Sequence, residues 1–128
     1  MKSAGEALVA GMTAALDEVA GLNGVYDGPP LQAAFPYALV DAGPESDWSH
    51  KSGQGRELRV AVTIRDQGER PARLRQSMRA AEAAIGTMTS ELDGWRLVTM
   101  IFRRSRILRD RDAGWLGAID YRARMLKD

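Results

Sequence analysis

The sequence predicts an α+β fold: an antiparallel sheet of about four strands with two helices packed on one face, in the order α-β-β-α-β-β. Three observations lead there. Two segments, Ser3 to Ala20 and Pro71 to Met88, repeat apolar residues at three- and four-residue spacing. Glu57 to Arg65 alternates apolar and polar residues with period two. Trp95 to Met125 consists of two strand-like runs joined by a charged turn.

The first helix has a start signal. Ser3 stands three residues before Glu6, the spacing of a capping box. Leu8, Met12, Ala15, Leu16 and Val19 form its apolar stripe, while Asp17 and Glu18 lie on other faces, and Gly21 and Gly24 stop it. Val25 and Tyr26 favour extended backbone, compatible with an extra short strand. Gly28-Pro29-Pro30 makes a turn, and Phe35 to Val40 reads as a strand with Pro36 at its start.

Asp41 to Gln54 is rich in Gly, Ser, Pro and Asp, so residues 1–128 are read as a single domain with a flexible loop at about 41–55. In the next strand Leu58, Val60, Val62 and Ile64 share one face. Pro71 opens the second helix, whose stripe is Leu74, Met78, Ala81 and Ile85. Leu97, Thr99 and Ile101 then alternate with Val98, Met100 and Phe102. A strand apolar on both faces is expected to be central, or covered by another chain.

Composition excludes several classes. Hydrophobic residues make up 45% and charged residues 27%, a globular rather than a disordered balance. No apolar run reaches the ~18 residues of a membrane span, and the start is too polar for a signal peptide, so a cytosolic origin away from membranes is expected. Without cysteine there are no disulfides and no thiol chemistry. His50 is the one histidine, in a Ser/Gly loop near Asp41, Glu45 and Asp47. A general base needs a positioned partner, which such a loop does not provide. Asp110 to Gly114 has a faint likeness to a calcium loop, but the twelfth position is Tyr121 rather than Glu. A hairpin turn with Gly114 at positive φ is expected instead. No phosphate loop or nucleophile elbow is present, and no cofactor is expected.

The net charge of +1 hides an asymmetry. Residues 1–54 carry two Lys and seven acids, whereas residues 95–128 carry nine Lys/Arg and four Asp. Such a split allows pairing within the chain, a nucleic-acid patch, or head-to-tail docking between copies. Arg103, Arg104, Arg106 and Arg109 dominate the basic third, with Arg111 beside them. Duplex binding would need them on one face, yet alternation spreads them, and Asp110 and Asp112 dilute them. The reading is therefore an assembly interface, with Arg103, Arg104, Arg106 and Arg109 facing acids such as Asp17 and Glu18 of a neighbouring copy. A small nucleic-acid-binding module is the alternative.

The order of features resembles the tail-completion or tail-terminator proteins of long non-contractile phage tails and of gene-transfer-agent particles. The resemblance rests on the N-terminal helix, Val25 to Pro30, Phe35-Pro36-Tyr37, the strand at Leu58–Ile64 and the helix at Leu74–Ile85. It continues through Gly94 to Val98, Phe102, Ile107 to Asp110 and Tyr121-Arg122. One departure is Ile64-Arg65-Asp66, where similar proteins often carry Trp-Ser. The resemblance implies a non-enzymatic virion protein without cofactors. It further implies a homo-hexameric ring at the head-proximal end of the tail, contacting the major tail tube protein and the head–tail connector or stopper, with DNA passing through unread.

Overall fold

The structure, a computed structural model, describes residues 2–110 and 114–128. The described elements run α1 (Ala4–Asp17), β1 (Val25–Tyr26), β2 (Tyr37–Asp47), β3 (Gly55–Gln67), α2 (Ala72–Gly86), β4 (Glu91–Leu92), β5 (Trp95–Asp110) and β6 (Gly114–Lys127). The strands form one curled six-stranded sheet in the order β1-β2-β3-β6-β5-β4.

Local chemistry explains the helices. The Ser3 hydroxyl accepts from the Glu6 N–H, and the Glu6 carboxylate accepts from the Ser3 N–H, so the expected capping box forms. Leu8, Met12 and Leu16 of α1 are buried, as are Leu74, Met78, Ala81 and Ile85 of α2. They pack on the sheet face made by Val40, Leu58, Val62, Ile64, Ile119 and Met125. Each large aliphatic side chain buried there stabilises the fold by about 1.5–3 kcal/mol. Gly117 lets α2 come close: a Cβ there would stand 2.5 Å from the Met78 sulfur.

The expected sheet of about four antiparallel strands is wrong in both number and direction. β1 pairs with β2 in parallel, Val25 opposite Ala38 and Tyr26 opposite Leu39. The loop through Gly28-Pro29-Pro30 carries the chain back to start β2 in the same direction. β4 is a two-residue strand paired with Arg96 and Trp95. Asp93 and Gly94 between them have φ of 47° and 92°, the conformation of a tight Asp-Gly hairpin turn. β1 matches the extra short strand allowed at Val25-Tyr26, and β4 is too short for a periodic pattern to reveal.

β2 also runs further than expected. It stays paired through Asp47 opposite Arg56, with a register shift between Ala42 and Glu45 that accommodates Gly43-Pro44. Residues 41–47 are therefore strand rather than loop. At the far hairpin, Gly114 pairs with Asp110 and with Gln67. The hairpin turn expected there falls on residues 111–113, which lie outside the described residues.

β5 was expected to be central or covered by another chain, and the strand order removes the first option. The central strands are β3 and β6, and β5 is covered on its outer side only at Trp95 and Arg96. Two register shifts, Leu97/Thr99 and Phe102/Arg104, turn Leu97, Met100 and Phe102 to one face, opposite the buried Met125, Ala123 and Tyr121. Simple alternation could not anticipate these bulges.

Candidate assembly surface

The sheet presents two different edges. Beyond Leu39, no described strand pairs with the outer side of β2, and beyond Arg96 none pairs with the outer side of β5. These two edges carry opposite charge. Asp41, Glu45 and Asp47 lie on β2, and Arg103, Arg104, Arg106 and Arg109 lie on β5.

The acidic side deepens into a groove of about 770 Å³ between α1 and the β1–β2 edge. Gly5, Val9, Ala10 and Ala14 floor it, and Glu6, Asp17, Asp27 and Asp41 stand among its walls with Lys2. The capping hydrogen bonds at Ser3 hold the Glu6 carboxyl below its usual range, so this acid stays charged. Asp17 is thus part of a larger acidic site than the sequence showed. Glu18 is not in that groove: it caps the end of α1 and lines the cleft between the two helices.

The basic side is less uniform. Arg104 donates to Asp120 of its own chain at 2.9 Å, and Arg109 lies over the Trp115 ring at 4.5 Å from its centre. Arg65 reaches Asp110 at 2.7 Å. Among the described residues, Arg103 and Arg106 make no ion pair within the chain. Arg106 joins Arg75 and Arg79 of α2 around a cleft of about 470 Å³. Between these arginines, Val98, Ile101, Phe102 and Leu108 are each more than a third exposed, Phe102 to 48%. Sequence reasoning placed these apolar residues in a covered strand, and it gave Arg75 and Arg79 no role. The amphipathic reading of α2 did place Arg75 and Arg79 away from the core, the only signal available for them.

The curled sheet brings Asp41 to the same concave pocket as Arg59, Arg103 and Arg104, while Glu6, Asp17 and Asp27 lie apart from it. Among the described residues, no acid of residues 1–54 forms an ion pair with a base of residues 95–128. The pairs on the uncovered sheet face are local. Glu57 takes both Arg124, at 3.0 Å, and Arg122, at 3.6 Å. The Arg124 hydrogen bond, opposed by partial burial and helped by the neighbouring arginines, keeps Glu57 below its usual range. Burial, with Glu82 nearby, pushes the Tyr121 hydroxyl up to about 12, so it stays neutral.

His50 is exposed and sits against the edge of Trp48 at 4.6 Å between ring centres. Among the described residues no cluster of three potential metal ligands occurs, and no helix is long and apolar enough to cross a membrane.

Comparison with known proteins gives the class to which this fold belongs. A family model described as "Tail completion protein gp17" matches residues 6–126. A solved structure described as "Virion of native gene transfer agent (GTA) particle" contains a chain similar to this one, with a TM-score of 0.71 and 27% identity. The similarity covers 98% of this chain and 99% of that one. No curated protein matches the sequence. The chain belongs to the tail completion protein gp17 family, structural proteins of the phage tail, and its place is the virion.

Proposed function

We propose that the protein is a tail terminator: it forms a ring on the head-proximal end of the tail tube, stops tube growth, and offers the surface to which the capsid connector or stopper binds. The observation that carries this reading is a family match spanning residues 6–126, together with an end-to-end likeness to a chain of a gene-transfer-agent virion. Two sheet edges of opposite charge supply the heterologous contacts that closed rings use. Its partners are then copies of itself, most simply six, the major tube protein on one side and the connector on the other. DNA passes through the ring without sequence readout. The work is done by shape and charge, without catalysis.

The nucleic-acid reading has less support. Glu57, Asp110 and Asp120 each hold an arginine on the uncovered sheet face, leaving few cations free for phosphates. The test is to add the protein to polymerising tube protein and follow tube length by electron microscopy. Capped tubes that stop elongating support the proposal. Tubes that lengthen as they do without the protein overturn it.

A further inference from the structure

Resting on the self-assembly reading above, we infer which surfaces meet: the bare β5 edge of one copy seats in the α1–β2 groove of the next. Three observations converge on this occupant. The first is charge. The groove presents Glu6, Asp17, Asp27 and Asp41 against a single lysine, and the β5 edge presents Arg103 and Arg106, which make no ion pair among the described residues, beside Arg104 on Asp120 and Arg109 on Trp115. These two sets find no partners in each other within the chain. The second is apolar surface. The floor of Val9, Ala10 and Ala14 is low and small, suited to receive the exposed Ile101 and Leu108, which share one face of β5.

The third is length. α1 has 14 residues and is about 21 Å long at 1.5 Å per residue. Phe102 to Leu108 spans about 20 Å at 3.3 Å per residue. A strand laid along the helix therefore matches the groove from end to end. The two surfaces lie toward opposite ends of the strand order, so the contact is heterologous and each copy uses both surfaces once. Pro44 and the irregular register at Ala42/Glu45 break the β2 edge. The inferred contact is accordingly side-chain docking into the groove rather than one continuous hydrogen-bonded ladder.

The chain has no cysteine, which makes cross-linking clean. Asp17→Cys and Arg103→Cys, each alone and then mixed, are treated with a short bis-maleimide under conditions where the wild type assembles. The expected result is a cross-linked dimer in the mixture and almost none with either variant alone. The double variant Asp17→Cys/Arg103→Cys should give a ladder of cross-linked species that ends at the full ring. A second arm uses charge. Asp17→Lys/Asp27→Lys and Arg103→Glu/Arg106→Glu should each fail to assemble alone, with unchanged melting, and should assemble together when mixed. Wild-type rings without these cross-links, and without rescue on mixing, would overturn this interface while leaving the terminator reading in place. A wild type that stays monomeric at high concentration and on tube protein would remove both.

Discussion

Arg73, in the first turn of α2, reaches back to Asp66 at the end of β3, the one charged side chain among the described residues that the fold buries. Asp66 is 2% exposed. Arg73 Nε donates to one carboxylate oxygen at 2.8 Å, and a second guanidinium N–H donates to the other. The backbone N–H of Gln67 also donates to it, at 2.8 Å. The pair fixes the angle at which the chain turns from strand to helix. Replacing Asp66 with Asn removes the charge-assisted bonds and should cost about 1–3 kcal/mol of stability, measured by denaturant melts. Arg73→Lys should fall between wild type and Arg73→Ala, because lysine keeps the charge but not the two-pronged geometry. Equal stability of all three would mean that the pair contributes nothing.

The same pair sets an acid limit. Burial alone would push the Asp66 carboxyl up, but the Arg73 and Gln67 hydrogen bonds and the Arg73 charge outweigh it and hold it below the usual aspartate range. A depressed folded value means the stabilisation is fully present above the ordinary aspartate value of about 3.9 and is lost as pH falls through the lower folded value. Thermal melts from pH 6 down to pH 2.5 should therefore show wild type and Asp66→Asn converging at the acid end. Parallel curves over that range would contradict the assignment.

Gly117 is the contact point of α2 on the sheet. Valine there would drive into Met78 and Leu74, whose atoms stand 2.5 and 3.1 Å from the position of a Cβ. The expected loss is about 1–3 kcal/mol, partly restored by adding Met78→Ala. A melting point equal to wild type for the single variant would show that α2 shifts freely.

At the start of α1, Ser3→Ala removes the hydroxyl that accepts from Glu6 and should destabilise by about 1 kcal/mol. Urea titration measures this directly, and an unchanged midpoint would show that the cap is dispensable.

Assembly should depend on salt. If the acidic groove and the basic edge meet, raising ionic strength from 0.05 to 0.5 M should weaken association, because the Debye length shrinks several-fold over that range. Analytical ultracentrifugation reads this, and Arg103→Glu/Arg106→Glu should show the same weakening at low salt while melting as the wild type does. Single substitutions will do little, since an exposed pair contributes only ~0–1 kcal/mol.

The parts of the fold with long periodic patterns were legible. The stripes at Leu8–Leu16 and Leu74–Ile85 and the alternation at Leu58–Ile64 are all buried as their spacing implies. What escaped was short or irregular. β4 has two residues, and its clue was the Asp93-Gly94 dipeptide, while β1 lies at the short strand allowed for Val25-Tyr26 but pairs in parallel. β2 continues through a Gly-Pro step that reads as loop, because its pairing with β3 tolerates a bulge. β5 looked central or covered by another chain because both its faces are largely apolar. Its two bulges and its outlying position instead leave Ile101 and Phe102 open to solvent. For the candidate site, the charge split and the arginines were readable in the chain. Asp27, Asp41, Arg75 and Arg79 were not, because only the fold brings them beside Asp17 or Arg106.

The central claim concerns where tails stop. Deleting the coding sequence of this chain from a particle-producing genome and imaging the products by electron microscopy tests it directly. The account predicts full heads without tails beside tubes of irregular, excessive length, with normal particles restored by supplying the chain. Tails of normal length joined to heads in its absence would contradict it.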